Sequence, residues 1–495
     1  MTPADSDEPL SLPDGSRRNV ALSSTRWSIV AVVGRQLPQM LAALVLARVL
    51  GPETYGIISA ATVYVSLTTL GLDQGFAPAL VQRPNLTPGL PGAIATVNLL
   101  SGLLLGSATV ATSGLVADFF HAPGLEPLLW VLGAGLVLKA AAITPRAMLQ
   151  RQLDFRSIGM ADLVGGVLSC AVAVVAVLAG AGVWSMVWQV LTLDLIIAGV
   201  LLRRAPRAVP NLKLRELRPV LSFSLRIFGS NALAYLSRNL DNILVGRYLG
   251  VASLSLYSMS YRVLVIPVQM IGQTVNRVVF PLFSRMADQP ARVASGFLST
   301  IELLAFAAVP VMFGAAAASG ELVNLALGPE WAAATPILAV LCLAGARETV
   351  FYATNPLMRA KGAGKLIFRY EWLAAAFQLG GIIIGLQFGV FGVAVGVMAS
   401  GFLLTPALLL IQRHLIDVPV RVQLGRLFPP LHASAWGVLA YRLVASLGWG
   451  SVPTLAVGTA AYLLVLAAVL AVFHRQATLR TLSTIRDLFA PGKKS

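Results

Sequence analysis

Charged residues are scarce in this chain, and acidic ones are scarcer than basic ones. Only 12% of the 495 residues are charged, with 21 Asp and Glu against 37 Lys and Arg, whereas soluble domains carry about 25% charged residues. Hydrophobic residues make up 57% of the chain and the mean hydropathy is +0.79. This balance excludes a soluble globular protein. The net charge of +16 therefore indicates loops that meet anionic lipid headgroups, and we expect no nucleic-acid partner.

Cysteine and histidine are rare as well. Cys170 and Cys342 both fall within apolar segments, which is typical of core packing and not of a disulfide or a metal site. The four histidines show no spacing typical of metal ligands. The run Gly-Ala-Gly-Lys at 362–365 lacks both the first glycine and the final Ser or Thr of a phosphate-binding loop. We therefore expect no cofactor, no metal and no ATP site.

Long hydrophobic runs fill most of the sequence. A helix needs roughly 20 residues to cross a bilayer, and the chain can be divided into about fourteen such segments. They are 27–50, 55–80, 92–117, 125–144, 158–179, 183–202, 220–250, 253–282, 293–318, 332–357, 366–388, 390–411, 427–447 and 452–473.

Basic residues are distributed unevenly between the connecting loops. The loops on one side of the predicted membrane carry Lys and Arg, and those on the other side carry none. This positive-inside pattern predicts an all-α, multi-pass protein of the bacterial cytoplasmic (inner) membrane with both termini in the cytoplasm. The outer loops are too short for a soluble catalytic domain, which usually needs about 50 residues or more. This argues against an enzyme.

The segments divide into two related halves. We predict a cytoplasmic N-terminal segment (1–26), a six-helix bundle (27–202), a basic linker (203–219), a second six-helix bundle (220–411), two further helices (412–473) and a basic tail (474–495). Arg48-Val49-Leu50-Gly51 closes the first helix, and Arg247-Tyr248-Leu249-Gly250 closes the seventh. Transporters built from such parallel repeats bind substrate between the halves. The tail fits either a surface amphipathic helix or a disordered segment.

Polar residues recur at helical spacing within four of these segments, the first two of each half. The stripes are Arg35 and Gln39; Thr62, Ser66, Thr69 and Asp73; Asn231, Tyr235, Arg238, Asp241 and Asn242; and Ser258, Arg262, Gln269, Gln273 and Asn276. Residues three and four apart share a helix face, and a charge inside the bilayer must face protein or water. Although one polar stripe could simply join helices, four favour a hydrated central cavity.

This cavity would hold more arginine than carboxylate. Guanidinium groups bind phosphate in a bidentate manner, so the pattern predicts an anionic substrate. The candidate substrate-binding residues are Arg35, Gln39, Arg48, Tyr235, Arg238, Arg247, Arg262, Gln269 and Gln273. Arg48 and Arg247 lie near helix ends, where snorkelling towards the interface is the alternative explanation.

Intramembrane carboxylates are candidates for a coupling ion, either H⁺ or Na⁺. Asp73 and Asp194 have no obvious partner in the sequence, and with Asp241 they form our set of ion-coupling candidates. Asp241 lies three residues from Arg238, so simple charge neutralisation remains open for it. The same alternative applies to Glu348 beside Arg347 and to Glu371 near Arg369.

Several motifs resemble those of a known transporter family. They are Leu-Gly-Pro-Glu-Thr-Tyr-Gly at 50–56, Asp-Asn-Ile-Leu-Val-Gly-Arg at 241–247 and Phe-Pro-Leu-Phe-Ser-Arg at 280–285. The chain resembles the oligosaccharide flippases, the Wzx-like polysaccharide transporters of the multidrug/oligosaccharidyl-lipid/polysaccharide (MOP) exporter superfamily. The match covers most of the first twelve segments and weakens from about Gly425.

The resemblance implies flipping of undecaprenyl-pyrophosphate-linked sugar repeat units from the inner to the outer leaflet by alternating access. It also implies that Arg35, Arg238, Arg247 and Arg262, with Arg48, line a cationic cavity. Functional partners would be a polysaccharide polymerase and glycosyltransferases, for capsule, O-antigen or exopolysaccharide. Ion-coupled multidrug efflux on the same fold is an alternative, which the arginine excess disfavours, and a membrane glycan polymerase or ligase is another.

Overall fold

A computed structural model describes residues 14–72, 76–83, 86–206, 208–286 and 288–489. The described residues form helices and connecting turns, with no strand among them. In the first half the α-helices are α1 (Asp14–Leu72), α2 (Phe76–Gln82), α3 (Leu90–Phe119), α4 (Leu125–Arg151), α5 (Phe155–Leu178) and α6 (Trp184–Arg204). A 3₁₀ turn, Leu214–Leu217, leads into α7 (Arg218–Arg285).

The second half is also helical. Its further α-helices are α8 (Pro290–Ala317), α9 (Ser319–Ala326), α10 (Ala334–Phe351), α11 (Thr354–Ala360), α12 (Gly364–Leu386), α13 (Gly389–Leu403), α14 (Thr405–Ile416), α15 (Val420–Ala445), α16 (Ser451–Phe473) and α17 (Arg475–Phe489). Residues 475–489 of the predicted tail form α17, so over these residues the helix is confirmed of the two alternatives.

The described residues of the fourteen predicted segments lie mostly in helix, although residues 73–75 of the second segment lie outside the described residues and the tenth and twelfth segments each comprise two helices. Ten helical stretches of the described chain are long and apolar enough to cross a membrane, and one of them, Gln36–Leu72, overlaps the first two predicted segments. Large apolar side chains are exposed along these helices, including Leu104 at 71%, Leu115 at 70% and Leu464 at 71%. Because exposed apolar surface on this scale is unusual in soluble proteins, the exposed faces indicate contact with lipid. The protein is an all-helical, multi-pass membrane protein.

The two echoed motifs have the same local structure. Gly51 interrupts α1 with φ 70° and ψ 171°, and Gly250 interrupts α7 with φ 82° and ψ 169°. Side chains of L-residues disfavour positive φ, whereas glycine adopts it readily. The Arg-x-Leu-Gly sequence therefore ends a helix in the same conformation in both halves. This supports the predicted internal repeat.

The chain divides into two compact units, Met1–Asn239 and Leu240–Ser495. The division falls inside α7, after Asn239, and not in the basic linker. In the first unit α1 packs on α5, α3 on α4, and α6 on both α4 and α5. Small buried clusters of apolar residues join these helices, such as Leu72, Leu136 and Ala140 between α1 and α4.

In the second unit α8 packs on α10 and α15, α15 packs on α16, and α13 packs on α10 and α12. Helices α12 and α13 approach so closely that a Cβ on Gly385 would overlap the backbone of Gly392. Small residues permit this kind of close packing in a membrane. A buried apolar cluster joins Phe283 near the end of α7, Phe297 of α8 and Leu357 of α11.

Candidate functional site

The polar stripe predicted on the second segment lies on a partly accessible face of α1. Thr62, Ser66 and Thr69 are all half-buried. The hydroxyl groups of Thr62 and Thr69 donate to Ile58 and Val65 one turn earlier, at 2.8 Å and 2.7 Å. A hydroxyl bonded in this way satisfies its helix and keeps acceptor capacity for another group. This face can therefore bind water or a polar ligand without an unsatisfied donor.

Tyr235 on α7 lies against this region of α1. Its hydroxyl donates a hydrogen bond of 3.2 Å to the carbonyl of Val63, and Ser66 is a second hydrogen-bonding neighbour. The side chain is half-buried. The structure therefore brings predicted residues from the second and seventh segments together within the first unit.

Arg238 follows Tyr235 by three residues, so the two side chains project from the same face of α7. The side chain of Arg238 is exposed, and no described carboxylate forms an ion pair with it. Asn231, one turn before Tyr235, is also exposed. A guanidinium on a membrane helix is costly unless it meets water, protein or an anion. Asn231, Tyr235 and Arg238 thus form a polar face with spare positive charge.

The stripe does not continue unchanged past Asn239. Asp241 and Asn242, which were predicted to share this face, are buried at 3% and 8% exposure. Tyr257 donates a hydrogen bond of 2.8 Å to one oxygen of Asp241, and the backbone N–H of Asn242 donates one of 2.8 Å to the other. The side chain of Asp241 therefore points into packed protein. It is held by neutral donors, and no ion pair to it is found among the described side chains.

The structure describes the side chains of four other predicted cavity residues. Gln39, Arg247 and Arg262 are half-buried, and Arg48 is exposed. Arg48 and Arg247 each lie three residues before a helix-breaking glycine and make interactions within the protein. The side chains of Arg35, Gln269 and Gln273 lie outside those that the structure describes, and Asp73 lies outside the described residues altogether.

The prediction that Asp194 has no partner is wrong. Asp194 on α6 lies 3.7 Å from the ammonium group of Lys139 on α4. Both residues are near the middle of their helices, where an unpaired charge is least favourable. The pairing was not visible in the sequence because it joins positions 139 and 194, which only the packing of α4 on α6 brings together.

Two further acids of the membrane segments are also paired. Asp162 on α5 accepts two hydrogen bonds from Arg146 on α4, at 2.6 Å and 3.1 Å. Glu302 on α8 accepts from Arg426 and from Arg480, with a shortest distance of 2.7 Å to Arg480. Bidentate guanidinium–carboxylate pairs of this kind are strong and directional. These charges hold helices together and are not available for a ligand.

Arg347 and Glu371 each have a hydrogen-bond partner on another helix. Arg347 donates from Nε to the Thr405 hydroxyl at 3.2 Å, and its guanidinium carbon lies 5.5 Å from the ring centre of Phe351. Glu371 accepts a long hydrogen bond of 3.5 Å from Asn355. Charge neutralisation by the sequence neighbours Glu348 and Arg369 stays a prediction.

No three His, Cys, Asp or Glu side chains in the described part of the chain lie close enough together to hold a metal ion. The chemistry offered by the described polar groups is instead hydrogen bonding and anion binding, by hydroxyl, phenol and guanidinium groups on membrane helices. Such groups can bind and orient a ligand, but they do not form a nucleophile–base arrangement.

A family model described as "Polysaccharide biosynthesis protein" matches residues 45–336. The chain is 25% identical over 392 residues to the lipopolysaccharide biosynthesis protein WzxC of Escherichia coli (strain K12), covering 77% of this chain and 78% of the relative. It is 26% identical to the teichuronic acid biosynthesis protein TuaB of Bacillus subtilis (strain 168), covering 75% and 78%. It is 24% identical to the succinoglycan biosynthesis transport protein ExoT of Rhizobium meliloti (strain 1021), covering 72% and 73%.

Solved structures give the same fold. The lipid II flippase MurJ, in an inward closed conformation, superposes with a TM-score of 0.71 at 14% identity, over 91% of this chain and 99% of that one. An inward-facing multidrug transporter of the MATE family, from the MOP superfamily, gives 0.59 at 16% identity, over 78% and 98%. At these identities the likeness shows the fold alone, and the expected MOP-type fold is confirmed.

Proposed function

Because this chain belongs to the family of polysaccharide biosynthesis proteins, we propose that it flips undecaprenyl-pyrophosphate-linked oligosaccharide repeat units across the inner membrane. The protein is a membrane transporter and not an enzyme. Its relatives are named for lipopolysaccharide, teichuronic acid and succinoglycan biosynthesis, and one of them is named as a transport protein. The product would be a cell-surface or exported polysaccharide.

The polar face of the first unit is the observation that carries the proposal. The barrier to flipping lies in moving a pyrophosphate and its sugars through hydrocarbon, where burying an unpaired charge is strongly unfavourable. Arg238, Tyr235 and the hydroxyl face of α1 offer charge and hydrogen bonds to such a headgroup. The prenyl chain needs no such path, because it stays in lipid.

We propose the remaining predicted residues as parts of the same cavity. They are Arg35, Gln39, Arg48, Arg247, Arg262, Gln269 and Gln273. The cavity would open alternately to the two sides of the membrane, as in transporters built from parallel repeats. The finer topology of fourteen crossings with both ends in the cytoplasm belongs to this proposal. It is supported by helix at every predicted segment and by the basic loops.

Coupling to H⁺ or Na⁺ is proposed at Asp241. Buried carboxylates in membrane helices are often ion sites, and Asp241 is held by the neutral donors Tyr257 and Asn242. Asp194 is a weaker candidate because Lys139 already neutralises it, and Asp73 is retained from the sequence. Asp241→Asn should remove any stimulation of flipping by an imposed ion gradient, while gradient-free flipping persists. Stimulation equal to that of the unsubstituted protein would exclude Asp241.

Multidrug efflux on the same fold is the second candidate function. The MATE transporter superposes over less of the chain and with a lower TM-score than MurJ. A site for organic cations would also need accessible acids, whereas Asp162, Asp194 and Glu302 are all paired with cations. The structure and the comparisons therefore favour a flippase.

The test is flipping of a fluorescent lipid-linked oligosaccharide by purified protein in liposomes without ATP. Arg238→Ala and Arg262→Ala should each lower the rate by roughly tenfold to a hundredfold, because a hydrogen bond to a charged group is worth about 1.5–3 kcal/mol. Arg442→Ala is the matched control, since Arg442 is an exposed arginine in the last turn of α15. Equal rates for all three variants and the unsubstituted protein would refute the anion-binding cavity.

A further inference from the structure

A cavity of about 220 Å³ lies in the first unit, where the chain leaving α6 crosses α3 and α4. Its lining is almost entirely apolar and includes Leu99 of α3, Ala141 of α4, Leu202 of α6 and Ala208 after α6. Such a lining offers few donors or acceptors to a polar ligand. It suits a hydrocarbon chain.

The cavity lies at the depth of one leaflet. Leu99 follows the start of α3 by nine residues, and a helix rises 1.5 Å per residue, so it is about 14 Å from that end. Ala141 precedes the end of α4 by ten residues, about 15 Å. A leaflet's hydrocarbon layer is about half of the roughly 30 Å core. Because α3 and α4 are both longer than this core, these two lining residues fall within the acyl-chain layer on the side where α3 begins and α4 ends.

The segment that covers the cavity is fixed to α3. The side chain of Asn211 donates to the carbonyl of Gly89 at 2.9 Å, and Thr96 donates to the carbonyl of Asn211 at 2.8 Å. Glu216 accepts a hydrogen bond of 2.7 Å from Thr87. These hydrogen bonds fix the covering segment to the first unit.

The surface around the cavity is both basic and apolar. Arg203, in the last turn of α6, is exposed, as are Lys213 and Arg215. Val209 and Leu212 are exposed at 68% and 82%. Basic groups attract anionic headgroups, and the apolar side chains between them favour the boundary between headgroups and acyl chains.

Arg203 is the residue best placed to bind a headgroup. Its neighbour Arg204 lies close to Asp154, the N-cap of α5. Burial alone would raise the pKa of Asp154. The hydrogen bonds from Ser157 and the charge of Arg204 together lower this pKa by more than burial raises it, so it lies below its usual value. Arg204 is therefore partly neutralised, whereas Arg203 forms no ion pair with a described carboxylate.

We propose that this cavity binds one acyl chain of an anionic phospholipid, whose phosphate is held by Arg203. The basic surface around the cavity favours an anionic headgroup, and the depth and apolar lining of the cavity favour an acyl chain. The undecaprenyl chain of the proposed substrate is several times longer than one acyl chain, and the small volume of the cavity therefore favours a resident phospholipid. The inference does not depend on the proposed function, because it requires only that the helices span a membrane.

The test uses the full-length protein in nanodiscs with phosphatidylglycerol that carries a diazirine in its acyl chain. After photolysis, labelled peptides are mapped by mass spectrometry. We expect labelling of the peptides that contain Leu99, Ala141 and Ala208. Ala208→Phe and Ala141→Phe fill the cavity and should each remove most of this label. Ala171→Phe, on the exposed face of α5, is the matched control and should retain it.

The headgroup is tested separately. Phosphatidylcholine with the same diazirine chain should label these peptides more weakly than phosphatidylglycerol, and Arg203→Gln should abolish the difference. Arg413→Gln, an exposed arginine in the last turn of α14, should leave the preference unchanged. Equal labelling by both lipids in the unsubstituted protein would overturn the role of Arg203.

A competition experiment on the unsubstituted protein tests the site even if the variants do not fold. Excess unlabelled phosphatidylglycerol should reduce the labelling of the unsubstituted protein, and the absence of competition would overturn the site. If undecaprenyl phosphate competes and phosphatidylglycerol does not, the occupant is the prenyl carrier and the phospholipid proposal is wrong. Equal labelling of the folded Ala208→Phe and Ala141→Phe variants would place the labelled lipid outside the cavity.

Discussion

Two buried carboxylates in the membrane helices of this protein are held by arginines from other helices. Arg146 binds Asp162 across α4 and α5, and Glu302 on α8 is bound by Arg480 of α17. Asp162 and Glu302 are almost fully buried, whereas the arginines keep part of their side chains exposed. At such sites the loss of one partner is more damaging than the loss of both, because it leaves one buried charge without compensation.

The Arg146–Asp162 pair gives the first prediction. Asp162→Asn should lower the free energy of unfolding by about 3 kcal/mol, the lower end of the range for breaking a buried pair, since Arg146 is partly exposed. The thermal unfolding midpoint of the purified protein in detergent would measure this. The double variant Arg146→Met with Asp162→Leu should recover most of the loss. An equally low midpoint in the double variant would contradict the ion-pair account.

At the scale of residues, the sequence predicts which polar side chains lie on the membrane helices better than it predicts their interaction partners. Arg238 and Tyr235 were expected on one polar face, and the structure has them there. Asp241 shares their helical stripe, but it turns into the packing because Tyr257, beyond the Gly250 break, meets it. The pairing of Asp194 with Lys139 depends on which faces of α4 and α6 pack together. Local spacing carries no information about that choice.

At the scale of single elements, α17 is joined to α8 by a contact that the sequence did not predict. Ala477 and Thr481 form its buried face, one turn apart, and Arg480 beside them forms a fork with Glu302. Leu479 and Leu482 are exposed. The amphipathic pattern predicted the helix, but an arginine in the tail gave no indication that it would bind a glutamate 178 residues earlier.

Removing the carboxylate of Glu302 should therefore loosen α17. With Glu302→Gln, Arg426 and Arg480 lose their shared counter-charge and repel each other, so α17 should exchange its backbone hydrogens faster. Hydrogen–deuterium exchange of peptides from 475–489 would measure this. Glu330→Gln, at an exposed residue before α10, is the control and should leave the exchange of α17 unchanged. Unchanged exchange in Glu302→Gln would mean that apolar packing alone holds the helix.

The junction between α16 and α17 should respond to pH. Trp436 donates to Nε2 of His432 at 3.0 Å, so the proton of neutral His432 lies on Nδ1 and points to Nε2 of His474, also at 3.0 Å. Burial lowers the pKa of His474, and the proximity of His432 lowers it further. A lowered pKa means that the folded state disfavours the protonated form. The stabilisation is therefore complete above the unfolded pKa of about 6.5 and is lost as the pH falls through the lower, folded value.

The expected result is faster hydrogen exchange in α17 at about pH 5.5 than at pH 8, after correction for the intrinsic rate. His474→Gln should remove this pH dependence, because the group that titrates is gone. His121→Gln, at an exposed histidine between α3 and α4, should preserve it. Retention of the full pH response in His474→Gln would assign the effect to another group.

At the scale of the whole molecule, the sequence predicts the helical architecture well. The apolar runs of the sequence predict where the membrane helices lie, because a chain in lipid must satisfy its backbone hydrogen bonds within each helix. The basic linker packs on the first unit. Asn211 and Glu216 bond it to the start of α3, and the compact units divide later, inside α7. Charge density marks a loop for topology, but it does not show which unit the loop packs on.

The repeated glycines make the last prediction, which concerns both halves together. Gly51 and Gly250 break their helices with φ of 70° and 82° and ψ of 171° and 169°, a region that is essentially restricted to glycine and costs another residue about 1–3 kcal/mol. Gly51→Ala and Gly250→Ala should therefore each destabilise the protein by about that amount. Because each break lies inside its own unit, the double variant should show the sum of the two losses.

Gly199 provides the matched control. It lies within regular α6, and a Cβ there would meet nothing within 4 Å, so Gly199→Ala should be neutral or stabilising by up to about 1 kcal/mol. Thermal unfolding in detergent measures all four variants. If Gly51→Ala and Gly250→Ala lose similar stability while Gly199→Ala loses none, the shared Arg-x-Leu-Gly motif acts as the same backbone device in both halves. If only one of the two matters, the echo is a likeness of sequence without a common structural role.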